Sequence, residues 1–139
     1  MSEIMDFGRV ALAGGFLLPE HFADEKTYPL RLYFCRECFA VQLTDKVSAK
    51  LLFEDYFYFS SSIRTLREHF QEYAAEVTSR FLTPGTSTVI EFGCNDGILL
   101  RPLADQQIRT VIGVDPATNV VKTIDDARVT VVNDFFTEV

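Results

Sequence analysis

The chain has 139 residues, 47% of them hydrophobic and 24% charged, a length that suits one ordinary domain or two small ones. Twenty acidic residues against 13 basic ones leave a formal charge of −7, the wrong sign for displacing counterions from nucleic-acid phosphates. The longest apolar stretch, residues 10–18, is half a membrane span without signal-peptide flanks, and three cysteines make no secreted disulfide framework, so neither a membrane nor a nucleic-acid partner is expected and the cytoplasm is the expected compartment.

Residues 1–26 read as irregular, because Gly8, Gly14, Gly15 and Pro19 punctuate them and the apolar residues between follow no clean period. After Pro29, Leu30-Arg31-Leu32-Tyr33-Phe34 alternates in part and is rich in strand formers. Cys35-Arg36-Glu37-Cys38 makes a tight knuckle, and Phe39-Ala40-Val41-Gln42-Leu43 reads as a returning strand. The expectation is a hairpin with a CxxC at its tip. An aromatic run follows, with Phe53, Tyr56, Phe57, Tyr58 and Phe59, and then Ser60, Ser61 and Ser62 as candidate helix caps. From Ile63 the apolar positions Leu66, Phe70, Tyr73, Ala74, Val77 and Phe81 recur at steps of three and four, which predicts an amphipathic helix that Pro84-Gly85 stops.

Beyond residues 83–87 the texture changes. Strands are predicted at 88–92, 110–114 and 129–132, and helices at 98–105 and 119–127. Pro102 fits the first of these helices only within its first turn. Strand and helix in alternation mean a parallel α/β sheet.

The chemistry concentrates in Glu91-Phe92-Gly93-Cys94-Asn95-Asp96-Gly97. A glycine loop leaving a strand and opening a helix brings backbone amides close to a ligand. Asp115 ends the next strand, 22 positions after Gly93, where an acid accepts hydrogen bonds from ribose hydroxyls. No Lys-Ser or Lys-Thr follows the glycines, so a P-loop is excluded, and the GxGxxG of a dinucleotide site is missing. Glu91 and Asp96 would repel a pyrophosphate and favour a cationic ligand such as S-adenosylmethionine. Asn133-Asp134-Phe135, after the third strand, is the candidate adenine contact through Asp134 and the Phe135 amide. A plain α/β turn, with Gly93 and Gly97 serving packing and Asp115 capping a helix, is the alternative.

The loop pattern E-x-G-x-x-x-G resembles the first motif of class I methyltransferases. More broadly, the chain resembles the S-adenosylmethionine-dependent sugar C-methyltransferases, which act on nucleotide-linked deoxysugars and carry an N-terminal zinc-binding domain. The similarity runs through Met5-Asp6-Phe7-Gly8, Tyr28-Pro29-Leu30-Arg31-Leu32, Cys35-Arg36-Glu37-Cys38 and Leu52-Phe53-Glu54-Asp55-Tyr56-Phe57-Tyr58-Phe59-Ser60-Ser61. His69, the glycine loop, Ile112-Gly113-Val114-Asp115-Pro116-Ala117, Asn119 and Phe135-Phe136 complete it.

This resemblance implies an α/β protein: a partial Rossmann-like class I methyltransferase sheet, preceded by a small zinc-ribbon-like β region and a linking helix. The implied division is residues 1–59, 60–85 and 86–139. S-adenosylmethionine is the expected cofactor, with Glu91, Gly93, Asn95, Asp96, Gly97, Asp115, Pro116, Asp134 and Phe135 around it. Tyr56 and Tyr58 match tyrosines near the methyl acceptor, with Tyr58 the preferred contact to a nucleotide-sugar substrate. Cys94 stands where a serine is expected and reads as packing. The family's zinc site uses two CxxC pairs, so Cys35 and Cys38 are half of it, with His21 the other protein ligand considered. The resemblance also implies further strands and a C-terminal domain with the general-base histidine, so the chain is expected to be an N-terminal piece. A non-catalytic adenosine-binding module and an NAD-binding oxidoreductase fragment are the alternative functions. The implied strand order leaves the strand at 88–92 with one open edge, and self-association through that edge is expected.

Overall fold

Residues 1–52 build an antiparallel sheet of their own, in the order β1 (Ser2–Ala11), β2 (Thr27–Phe34), β3 (Val41–Leu43). The structure is a computed structural model that describes residues 1–137, and its two compact units part between Leu52 and Phe53. The expected hairpin is present: β2 and β3 pair with Leu32 opposite Leu43 and Phe34 opposite Val41. The Cys35-to-Cys38 knuckle turns the chain, closed by the Cys35 amide donating to the Ala40 carbonyl at 2.9 Å.

The irregular reading of residues 1–26 is corrected. Residues Ser2–Ala11 form a strand against β2, and Pro19–Asp24 form a 3-10 turn. The period was hidden because β1 slips register twice, between Glu3 and Met5 and between Asp6 and Arg9. Gly8 sits in the second irregularity at φ +76°, with its amide donating to Asp6 Oδ1 at 2.7 Å. A bulge of this kind flips the side-chain alternation, so no single face is apolar along the strand. Arg31 on β2 holds Asp45 through two nitrogens, Nη2 to Oδ1 at 2.9 Å and Nε to Oδ2 at 3.2 Å.

The second unit contains a parallel sheet in the order β4 (Thr88–Phe92), β5 (Thr110–Val114), β6 (Val129–Val132). Ahead of it come α1 (Ala49–Phe53), at the junction of the two units, and α2 (Arg64–Phe81). The periodic face predicted from Ile63 is the one that buries Ala74 and Thr78. Between the strands lie α3 (Leu100–Asp105) and α4 (Thr118–Val121). Pro102 is the third residue of α3, inside the first turn, where its missing amide costs no helical hydrogen bond. Ala74, Cys94, Leu100, Leu103, Ala104, Ile108 and Val111 form the core between α2, α3 and the sheet.

The helix expected at 119–127 is shorter, ending at Val121. Asp126 explains the early stop: its side chain accepts from the Arg128 amide at 3.0 Å and its carbonyl from the Val129 amide at 3.0 Å. That local turn competes with helix and launches β6. Among the described residues β4 pairs only with β5, so its other side is the sheet edge. No described helix is long and apolar enough to cross a membrane.

Candidate functional site

The glycine loop after β4 turns tightly because three of its residues adopt positive φ: Gly93 at +74°, Asn95 at +49° and Gly97 at +77°. The Gly93 amide donates to the Val114 carbonyl at 2.8 Å and the Gly97 amide to the Cys94 carbonyl at 3.0 Å. A Cβ added at Gly93 would meet no protein atom within 4 Å, so the backbone there faces open space that a ligand can approach. Cys94 is fully buried, and burial first, then the charge of Asp115, pushes its thiol up to about 12. It is a packing residue, in keeping with the sequence reading.

Asp115 leaves the end of β5 only 8% exposed. Its Oδ2 accepts from the Asn95 amide at 2.9 Å and its Oδ1 from the Ala117 amide at 2.9 Å. A carboxylate has about four lone-pair sites, so two remain for a ligand. Asn133, which the sequence placed in the candidate adenine segment without a role of its own, donates its side-chain amide to the Asp115 carbonyl at 3.0 Å and accepts from Thr118 Oγ1 at 2.8 Å. It ties the ends of β5, α4 and β6 together. Its position directly after the third strand was the available signal.

A cavity of about 430 Å³ opens here, lined by Gly93, Asn95, Asp115, Pro116 and Phe135 together with Tyr56 and Tyr58. That volume is within the ordinary range for small-molecule sites. The structure therefore brings together seven of the residues singled out from sequence. Glu91, Asp96, Gly97 and Asp134 do not line it. Asp96 is 2% exposed and spends its carboxylate on Ser61, accepting from the Ser61 amide at 3.0 Å and from the Ser61 hydroxyl. Gly97 packs on Ile124, which a Cβ would meet at 3.3 Å. Asp134 is exposed and accepts from the Phe135 amide at 2.7 Å.

Glu91 is the electrostatic oddity. Burial first, and the charge of Asp115 second, raise its carboxyl to about 7, and its Oε2 is buried without a hydrogen-bond partner. A buried carboxylate oxygen without a donor is costly, which favours the neutral carboxyl. His69, on α2, stacks on Tyr73 with ring centroids 6.2 Å apart, a helix-surface arrangement. In the first unit, Cys35 is half-buried, Cys38 is exposed and both are free thiols. Hydrogen bonds from the Cys38 and Glu37 backbone amides lower the Cys35 thiol below its usual value.

Residues 66–138 match the family of the description "Methyltransferase domain". The chain belongs to that methyltransferase family. Residues 1–53 match a second family, described as "Putative zinc binding domain". The chain is also similar to the C-methyltransferase NovU of Streptomyces niveus, 31% identical over 136 residues. That match takes in 97% of this chain and 32% of the relative's length. The order of the two matched segments is the order expected from the resemblance, and the parallel sheet is consistent with part of a Rossmann-like methyltransferase domain.

The methyltransferase residues fit S-adenosylmethionine on the structure's own terms. The spare acceptor capacity of Asp115 suits a ribose diol, and Glu91, outside the cavity lining, sets a second carboxyl close enough to Asp115 to feel its charge. Zinc fits less well. No group of three or more His, Cys, Asp or Glu side chains is placed to hold a metal among the described residues, so Cys35 and Cys38 supply two ligands of the four a structural zinc takes.

Proposed function

We propose that this chain is the cofactor-binding portion of an enzyme that methylates a carbon of a nucleotide-linked keto-deoxysugar, with S-adenosylmethionine as donor. The observation that carries this reading is one cavity lined by both Asp115 and the tyrosines Tyr56 and Tyr58. Bound S-adenosylmethionine supplies an electrophilic methyl group on a sulfonium. Asp115 accepts the ribose hydroxyls, oriented by the two amides it already binds. Glu91, outside the cavity lining, adds its charge to that of Asp115 in attracting the cationic end of the cofactor. Pro116 and Phe135 offer flat apolar surface to the adenine.

On the acceptor side, the phenol of Tyr58 orients the sugar and donates to the oxygen that becomes negative as the enolate forms. In this reading the proton next to the keto group leaves to a base outside the cavity lining, the role the resemblance gives to a histidine. Holding the enolate carbon and the methyl donor in line then supplies much of the rate. Carbon as acceptor is supported by the similarity to the C-methyltransferase NovU, and the sugar by the resemblance of segments 52–61 and 112–117.

Titration calorimetry of the chain with S-adenosylhomocysteine and, separately, with NAD tests the cofactor half. S-adenosylhomocysteine binds and NAD does not, because the loop lacks the GxGxxG spacing that seats a pyrophosphate. Binding of NAD alone would replace this reading with the oxidoreductase one. If S-adenosylhomocysteine binds but labelled methyl never reaches a nucleotide-linked keto-sugar, the chain is a binding module.

A further inference from the structure

Residues 54–59 form no helix or strand of their own, yet the backbone from Glu54 to Ser61 is held at nearly every second residue by the methyltransferase loops. The Asn119 side chain accepts from the Tyr56 amide at 3.0 Å and donates to the Tyr56 carbonyl at 2.7 Å. The Asn95 side chain donates to the Tyr58 carbonyl at 2.9 Å and accepts from the Ser60 amide at 2.9 Å. Asp96 takes the amide and the hydroxyl of Ser61, and the Thr118 amide donates to the Glu54 carbonyl at 3.2 Å. A carboxamide that donates and accepts at once copies the pairing of a neighbouring strand. Here side chains 35 to 63 residues away supply it. Tyr56, Tyr58 and Ser60, the residues so held, are also the ones that line the cavity.

Asn95 faces both ways. Its backbone amide donates to Asp115 Oδ2 at 2.9 Å, while its side chain grips Tyr58 and Ser60. One residue therefore contacts the acid of the cavity and the segment carrying its tyrosines. We propose that Asn95 and Asn119 are positioning residues that seat segment 54–61 as a strap over the cavity, and that Asn95 couples this seating to occupancy of the Asp115 site by an adenosyl ligand. The coupling rests on the cofactor reading above; the seating does not. Any such coupling is reciprocal, so a ligand that tightens the strap is itself bound more tightly when the strap is seated. The strap then meets the acceptor in its working position only when the donor is in place.

Hydrogen exchange of the 139-residue chain, read amide by amide with and without S-adenosylhomocysteine, tests both parts. Without ligand, Asn119→Ala speeds exchange at Tyr56 by about tenfold, the loss of one to two hydrogen bonds, and leaves α2 amides unchanged. Asn119→Asp keeps an acceptor for the Tyr56 amide but loses the donor to the Tyr56 carbonyl, so it recovers part of that protection, which a general packing defect would not. S-adenosylhomocysteine slows exchange at Ser60 and Ser61 in the wild type, and Asn95→Ala removes that response. Equal exchange at Tyr56 in wild type and Asn119→Ala overturns the seating, whatever the ligand does. Binding of S-adenosylhomocysteine by calorimetry without any change at Ser60 and Ser61 overturns the coupling. If that ligand does not bind at all, the cofactor reading and the coupling fall together, and the ligand-free comparison still decides the seating.

Discussion

Glu91, opposite Gly113 on β4, and Asp115, one residue beyond β5, are close enough that the negative charge of Asp115 adds to burial in raising the Glu91 carboxyl to about 7. A carboxyl raised in the folded state makes the fold bind its proton more tightly than the unfolded chain does. Its stabilising contribution is therefore fully present below about pH 4.5 and is lost as pH rises through about 7, on the order of 3 kcal/mol. Urea unfolding of wild type and Glu91→Gln across that window measures it. The wild type loses stability relative to Glu91→Gln as pH rises, and parallel curves would show that Glu91 titrates normally. S-adenosylmethionine, carrying a sulfonium that S-adenosylhomocysteine lacks, gains affinity relative to it over the same window.

Gly113 makes a second, purely steric prediction. A Cβ at this position on β5 would lie 2.5 Å from Leu100 Cδ1 and 2.6 Å from Cys94 Sγ. Both of those side chains are fully buried and cannot swing away. Gly113→Ala destabilises the chain by roughly 1–3 kcal/mol, the usual result of overpacking. An unchanged melting temperature would mean that α3 shifts freely against the sheet.

Much of this was legible from sequence, and the misses have physical causes. The helix at Arg64–Phe81 and the three strands of the parallel sheet announce themselves because one buried face imposes a period. β1 does not, since two register slips and Gly8 break its alternation. The loop from Glu91 to Gly97 and the acid at Asp115 stood out because their residue types are dictated by backbone geometry and charge. The roles of Asn119, Asn133 and Asp96 were hidden, because each grips backbone far away in the chain and an asparagine carries no local mark of its partner.

The edge of the sheet gives the third prediction. On β4, Ile90 is 51% and Phe92 54% exposed, and no described strand pairs with its outer side. An unpaired apolar edge is a template for another strand. Light scattering on the 139-residue chain will show an apparent mass that rises with concentration, and Ile90→Lys will suppress the rise. A mass that stays monomeric at all concentrations would contradict this.

Metal content follows from the knuckle between β2 and β3. Cys35 and Cys38 supply two thiolates, and two more ligands are needed to close a tetrahedral zinc site. Elemental analysis of the purified 139-residue chain will find well under one zinc per chain. One full equivalent, lost in Cys35→Ser, would mean that two further ligands come from elsewhere, including a neighbouring chain.

The central claim is that Asp115 holds the ribose of an adenosyl cofactor in the cavity beneath the tyrosine strap, and calorimetry with S-adenosylhomocysteine on wild type, Asp115→Ala and Asp115→Asn tests it most directly. The account predicts that the ligand binds the wild type and that Asp115→Ala weakens it by roughly 1–3 kcal/mol, the loss of hydrogen bonds to a charged acceptor. Asp115→Asn, which keeps one acceptor oxygen, falls between the two. Equal affinity in all three proteins would contradict the account.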